Sequence, residues 1–232
     1  MKNLLCLAAT LSLPAASHAT IVFDSFTAPS STRVVVLSHD ANESSSTHEL
    51  PGGFESESQS GHAITLAGTD RHITQIEAKM AALRISFVNS GSVSFATTLR
   101  IYSLNAGVPS SLLWEGTTDV LTLNFNSSGY VEAPIVFTPN MVLPDSFAVA
   151  FSHSSISPTT DWLPGTAAKS GFPTLGSSSP NWFFQDTASG VWDFYPNSVE
   201  QSLQLRITAI PAPSAMLLSL ALLAGAHRRR AR

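Results

Sequence analysis

The sequence predicts an all-β protein, an antiparallel β-sandwich or jelly-roll-like fold, flanked by a signal peptide and a short C-terminal hydrophobic helix. Short runs rich in Val, Ile, Phe and Thr recur through the middle of the chain. Residues that favour turns, Gly, Pro, Asn and Ser, separate these runs. The two ends instead carry nearly continuous apolar stretches. We therefore predict a signal peptide at 1–19, a β-sandwich domain at 20–210 and a sorting or anchor segment at 211–232.

The first part of the domain combines short strands with one long loop. Residues 20–26, 33–38 and 61–67 are rich in β-branched and aromatic residues and are predicted as strands. Residues 40–61 are polar, with a run of serines and the sequence Pro51-Gly52-Gly53, and are predicted as a long polar loop.

Residues 72–88 fit two patterns. Their apolar residues recur three and four apart, as on one face of a helix; these are Ile73, Ile76, Met80, Leu83 and Phe87. The runs 76–80 and 83–87 also alternate, and the parity changes between them as it does at a β-bulge. The Ser- and Thr-rich surroundings favour two strand pieces around a bulge, and the helix remains the alternative.

The rest of the domain is predicted as further strands joined by turns. The strands are 93–103, 112–117, 120–125, 130–137, 146–153, 181–184, 191–195 and 202–210. Residues 105–109 form a predicted turn and 126–129 a hairpin-type connection. Residues 154–180, with four prolines and three glycines, are predicted as loop. The strands 181–184 and 191–195 are expected to pair across 186–190.

The N-terminus has the pattern of an export signal. Lys2 precedes an apolar stretch at 4–13, and small residues follow before Ala19. Signal peptidase is therefore expected to cleave between Ala19 and Thr20. A membrane span is the alternative, but about ten apolar residues are too few to cross a bilayer core of roughly 30 Å. The single cysteine, Cys6, lies in this segment, so the mature chain is expected to lack disulfides.

The C-terminus carries a second signal. Pro211, Pro213 and Ser214 precede an apolar run at 215–226, which is followed by Arg228, Arg229 and Arg230. As a helix this run would be only about 18 Å long, and clustered arginines resist translocation. The order Pro-x-Pro-Ser, short helix and terminal arginines resembles the PEP-CTERM sorting signal. That resemblance implies processing by exosortase, although Ala212 stands where the usual motif has glutamate. A plain tail anchor is the alternative.

The central region resembles bacterial choice-of-anchor surface domains. The sequences LRIYSLNAGVPSSLLWEG at 99–116 and NWFFQDTASGVWDFY at 181–195 carry the likeness, and the R type is nearest. The resemblance implies a surface-exposed β-domain and no defined reaction.

The charge of the domain argues against nucleic-acid binding. Five of the 12 Lys and Arg residues lie in the terminal segments, so the domain keeps 7 against all 16 Asp and Glu, a formal net charge of −9. Phosphate contacts need clustered cations.

The sequence contains three candidate ligand sites. Trp182, Trp192 and Tyr195 belong to an aromatic hairpin whose rings, if exposed, would stack on sugars, although core packing is the more ordinary role. Glu55 and Glu57 alternate and would suit glycoside hydrolysis, but they lie in a polar loop. Aspartates near strand ends, such as Asp24 and Asp193, would suit a structural calcium ion, yet no compact calcium loop is present. We predict no catalytic residue, no metal ligand and no cofactor.

Together these patterns predict a non-enzymatic exported protein of the bacterial surface or extracellular matrix. Its predicted partners are signal peptidase, exosortase and, transiently, the inner membrane. The alternative is a module that binds carbohydrate or exopolysaccharide, and a glycoside hydrolase ranks third.

Overall fold

The computed structural model describes residues 18–26, 33–37, 59–84, 91–125, 130–157, 162–185, 190–196 and 201–211. Within these ranges the chain forms fifteen β-strands and no helix. The strands are β1 (Thr20–Asp24), β2 (Arg33–Leu37), β3 (Gln59–Thr65), β4 (His72–Arg84), β5 (Gly91–Asn105), β6 (Val108–Thr117), β7 (Leu121–Phe125), β8 (Tyr130–Phe137), β9 (Met141–Val142), β10 (Ser146–Ser157), β11 (Trp162–Ser170), β12 (Ser177–Gln185), β13 (Trp192–Pro196), β14 (Gln201–Leu203) and β15 (Leu205–Ile210).

These strands form two antiparallel sheets. The eight-stranded sheet has the order β1-β15-β4-β11-β14, with β2 paired to β11 and with β8 and β9 paired to β4. The seven-stranded sheet has the order β13-β12-β3-β10-β5-β6, with β7 paired to β5. The predicted all-β, antiparallel class is therefore confirmed.

One hydrophobic core joins the two sheets. Ile76 and Met80 of the eight-stranded sheet belong to the same buried cluster as Phe95, Phe147 and Phe151 of the seven-stranded sheet. Alternation along each strand gives every sheet an apolar inner face. Two sheets that pack their apolar faces together are the arrangement expected of a sandwich.

The ambiguous segment at 72–88 is a strand as far as Arg84, and 85–88 lie outside the described residues. The helical alternative is therefore wrong for 72–84. A bulge is present, but its predicted position is wrong. β4 pairs with β8 without interruption from Ile76 to Leu83. The irregularity lies near Thr74, where the pairing with β15 shifts, and buried positions change parity between Ile73 and Ile76.

Three predicted connections differ in the structure. The loop predicted at 154–180 contains the whole of β11 and the start of β12, and β10 extends to Ser157. Pro164 is tolerated inside β11 because the pairing with β2 begins only at Gly165.

The hairpin predicted across 126–129 is wrong, because β7 pairs with β5 while β8 pairs with β4 of the other sheet. The last residues of the loop predicted at 40–61 belong to β3; 40–58 lie outside the described residues.

Two hairpin predictions are confirmed. β5 and β6 are joined by Ala106 and Gly107, whose φ angles of 52° and 84° fit a type I′ turn. Because that turn has two residues, Pro109 pairs with Leu104 inside β6 and is not part of the turn. β12 and β13 pair as expected, with Phe183 opposite Phe194.

The predicted closing strand at 202–210 is broken at Gln204. The Gln204 N–H donates to the Ala167 carbonyl at 2.9 Å, and its own carbonyl accepts from Lys79 N–H at 3.1 Å. Buried Ser25 fills the break: its N–H donates to the Leu205 carbonyl at 2.9 Å, and its Oγ accepts from Leu205 N–H at 2.7 Å. This junction lets β4 pair first with β15 and then with β11.

Candidate functional site

The candidate site lies on the outer face of the seven-stranded sheet. Gly61 pairs with Ala150, Ala150 pairs with Arg100, and Arg100 pairs with Glu115, so these four residues form one row across four strands. Their neighbours in sequence, such as His62, face the core instead. In this face β3 and β10 contribute residues with small side chains or none, Gly61, Ala148 and Ala150, and the rings of neighbouring residues pack over this part of the face.

Four aromatic rings pack in a row on this outer face, and we call them the ring ladder: Tyr102, Trp192, Phe183 and Phe194. Successive ring centroids are 5.2 Å, 6.4 Å and 5.1 Å apart, and each pair is edge-to-face. Tyr102 and Phe183 are buried together with Ala148 and Ala150 in a small cluster separate from the core. Trp192 is half-buried, and Phe194 is 45% exposed. The ladder therefore offers partly open ring surface at its hairpin end.

A directed chain of hydrogen bonds runs beside the ring ladder. The Tyr102 hydroxyl donates to Gln59 Oε1 at 3.0 Å, and Gln59 Nε2 donates to Gln185 Oε1. Gln185 Nε2 then donates to the Gly190 carbonyl at 2.8 Å. Burial raises the pKa of Tyr102, so its hydroxyl keeps the proton that starts the chain. The chain links β5 to the β12–β13 hairpin and fixes Trp192, which pairs with Gln185.

The other end of the face carries one ion pair. Arg100 Nε bonds to Glu115 Oε2, and its Nη1 donates to Ser152 Oγ at 2.9 Å. Arg100 is the one Lys or Arg in the seven strands of this sheet. The cation is therefore balanced by a carboxylate on the neighbouring strand, and the described part of the face carries little net charge.

The aromatic residues predicted for ligand stacking are separated by the structure. Trp182 is only 2% exposed, and its ring lies 3.8 Å from the ring of His62 on the core side of the sheet. A stacking role for Trp182 therefore does not fit its burial. Trp192 lies on the opposite face, in the ring ladder. Tyr195 pairs with Trp182 through its backbone, and its side chain lies outside the described part of the chain.

Two histidines are buried on the core side of the same sheet. His62 is 0% exposed, and neither of its ring nitrogens has a hydrogen-bond partner among the described residues. His153 Nδ1 lies 3.1 Å from Thr97 Oγ1, while its Nε2 has no hydrogen-bond partner in the part of the chain that the structure describes. Burial lowers the pKa of each ring to about 3. Both imidazoles are therefore neutral near pH 7 and act as parts of the core.

The acidic residues weighed for metal or hydrolytic chemistry have other surroundings or lie outside the described part. Asp24 accepts from the Phe26 N–H at 2.8 Å and pairs with Arg206 at 3.4 Å, so its carboxylate is engaged. Among the described residues, no three of His, Cys, Asp and Glu are grouped closely enough to hold a metal ion. The predictions for Glu55 and Glu57 fall on residues outside the described ranges.

The predicted signal peptide and sorting segment overlap the described residues only at His18, Ala19 and Pro211. Ala19 is exposed and directly precedes β1, which begins at Thr20. Pro211 is the last described residue after β15. Pro213, Ser214, the apolar run 215–226 and Arg228 to Arg230 lie outside the described ranges. Within the described ranges, no helix has the length and apolar character needed to cross a membrane.

No family model matches the chain, and no curated protein matches it at a significant level.

The sequence places Trp192, Phe183 and Phe194 in one aromatic hairpin, but it does not single out Tyr102 and Gln59, which the structure brings beside them. Tyr102 stands out in the sequence only as part of the motif at 99–116, and Gln59 lies in the predicted loop at 40–61. Period-two alternation in β5 groups Tyr102 with Arg100 and so signals a shared face. Nothing in the sequence signals that β3 separates β10 from β12, and this strand order brings Gln59 between Tyr102 and Gln185.

Proposed function

We propose that this chain is an exported, non-enzymatic protein of the bacterial surface or extracellular matrix, sorted through its C-terminal segment. A signal peptide before Thr20 and a short hydrophobic sorting helix after Pro211 complete the proposed architecture. Signal peptidase, exosortase and the inner membrane, contacted transiently through 215–226, are the proposed partners.

One structural observation carries the proposal. Thr20 begins β1, Ile210 ends β15, and these two strands pair with Thr20 opposite Ala209. The Thr20 hydroxyl also donates to Asp70 at 2.7 Å. The first and last described strands therefore pair with each other at one end of the eight-stranded sheet, next to the positions of the two proposed signals. Removal of 1–19 and 211–232 would take no residue from any of the fifteen described strands, which supports the proposal that these segments are detachable signals.

Cell fractionation tests the proposal. We expect the full-length chain to be exported and its tail to be processed. A variant without 212–232 should be exported and then released without membrane retention. A matched variant with Arg228, Arg229 and Arg230 replaced by glutamine keeps the apolar run and separates the charge signal from hydrophobicity. Wild-type localisation of the truncated variant would contradict the sorting role, and retention of uncleaved chain in the cytosol would contradict export.

A carbohydrate-binding module remains the second candidate, and the outer face favours it. Trp192 and Phe194 present partly exposed rings beside the hydrogen-bond chain through Gln59 and Gln185. This combination suits a ligand that has both apolar surfaces and hydroxyl groups. Binding and surface display are compatible, because a displayed domain needs an exposed face for its partner.

A further inference from the structure

We infer that the ring ladder and the neighbouring hydrogen-bond chain through Gln59 and Gln185 form a binding site for an uncharged glycan. This inference rests on the proposed display of the domain outside the cytoplasm, where such glycans are found. It assigns the site to Trp192, Phe194, Gln185 and Arg100 on the outer face, and it excludes the buried Trp182.

The first argument is the shape and spacing of the rings. Trp192 and Phe194 are alternate residues of β13, so they lie on the same face about 7 Å apart along the strand. Phe194 is 45% exposed, and Leu112 extends the apolar strip beyond Tyr102 with 51% exposure. Sugar rings present flat apolar C–H faces that pack on aromatic rings. A strip of this kind suits an extended chain better than a single small molecule.

The second argument is the supply of hydrogen-bond donors and acceptors. Within the described part of the chain, the Gln185 amide donates one N–H to the Gly190 carbonyl, and a side-chain amide has two N–H donors. Among the described residues, Arg100 donates to Glu115 and Ser152, while a guanidinium has five N–H donors. These planar groups lie on the same face as the rings. They can therefore bond to the hydroxyls that point outward from the edges of a stacked sugar.

The third argument is charge, and it selects uncharged glycans over acidic ones. Arg100 is the one cation of the seven strands, and Glu115 already pairs with it. The domain as a whole carries the formal net charge of −9 derived above from its composition. An acidic polysaccharide would thus meet a face with no uncompensated cation and would be repelled by the domain.

Affinity gel electrophoresis of the purified full-length chain in mild detergent tests the inference. Dextran, mannan and galactan are the uncharged probes, and alginate is the acidic probe. We expect at least one uncharged probe to retard the chain, and Trp192→Ala to weaken that association about tenfold. Trp192→Phe should retain part of the affinity. Phe172→Ala is the control, because it removes an exposed aromatic ring that lies away from the ring ladder. Phe172 belongs to the β11–β12 connection, whose backbone bonds to Asp24 of the eight-stranded sheet. This substitution should leave the affinity unchanged.

Three outcomes would overturn the inference. Alginate is the sole probe that retards the chain, no probe at all retards it, or an uncharged probe retards wild type and Trp192→Ala equally. Urea unfolding of each variant shows whether a lost interaction reflects lost structure, and Trp192→Phe provides the folded comparison. The binding assay does not depend on localisation. A chain that is exported but does not bind therefore refutes this inference alone, and one that binds but stays in the cytosol refutes the proposed function.

Discussion

The two buried histidines make the stability of the domain depend on pH, and replacing His62 tests this directly. An exposed histidine in the unfolded chain has a pKa of 6.5, whereas burial lowers the pKa of His62 and His153 to about 3 in the folded state. Below pH 6.5 the unfolded chain therefore binds protons that the folded chain excludes. The contribution of these groups to stability is present above pH 6.5 and is lost as the pH falls towards 3.

The magnitude follows from the size of the pKa difference. One pKa unit corresponds to about 1.4 kcal/mol, so each histidine should lower the free energy of unfolding by about 2 kcal/mol between pH 7.5 and pH 5. The two together should lower it by about 4 kcal/mol, a large share of the roughly 5–15 kcal/mol that stabilises an ordinary domain.

Urea unfolding followed by tryptophan fluorescence at several pH values between 5 and 7.5 measures this effect. The informative quantity is the slope of the free energy of unfolding against pH. His62→Phe should reduce that slope below pH 6 by up to about 1.4 kcal/mol per pH unit, whatever the variant's stability at pH 7.5. His153→Gln should do the same, because its side chain cannot be protonated in this range.

Phe95→Leu provides the matched control. Phe95 is fully buried and packs edge-to-face against His153, with centroids 5.3 Å apart. Its truncation should destabilise the domain by about 1 kcal/mol without changing the slope. An unchanged slope in His62→Phe would refute the reasoning, since it would mean that the imidazole is protonated to the same extent in the folded and unfolded states.

Three further predictions concern stability and are measured as unfolding free energies at pH 7.5. Ser25→Ala should cost about 1–3 kcal/mol, because Leu205 N–H loses its buried acceptor at the β14–β15 break; Ser25→Thr, which keeps a hydroxyl, should cost less. Gly61→Ala should cost about 1–3 kcal/mol, since an added Cβ would lie 1.8 Å from the Val149 carbonyl oxygen; an unchanged midpoint would show that β3 and β10 adjust freely. In the β5–β6 turn, Gly107→Ala should destabilise by about 1 kcal/mol and Ala106→Gly should stabilise by a similar amount, because both positions have positive φ; the opposite signs would contradict a type I′ turn.

The sequence by itself determined the fold class and the positions of most strands. Runs of β-branched and aromatic residues predicted β5 and β10, and alternation with period two predicted the buried series Leu203, Leu205 and Ile207, because one face of a strand must be apolar to enter a core. Local turn chemistry likewise predicted a turn at 105–109, a range that contains the two-residue turn Ala106-Gly107 between β5 and β6. These features depend on neighbours in sequence, so a single chain is enough to predict them.

Only the tertiary structure decided which strands pair and which face each ring occupies. β11 was missed because its proline and glycine suggest a loop, whereas its long-range pairing with β2 and β4 overrides that local preference. Trp182 and Trp192 belong to one hairpin and have similar sequence surroundings, yet the register of β12 on β3 sends Trp182 to His62 in the core. The ring ladder joins residues from β5, β12 and β13, and no local pattern contains that contact. Pairing between distant strands is set by how all the apolar faces fit into one core, so it is a property of the whole domain.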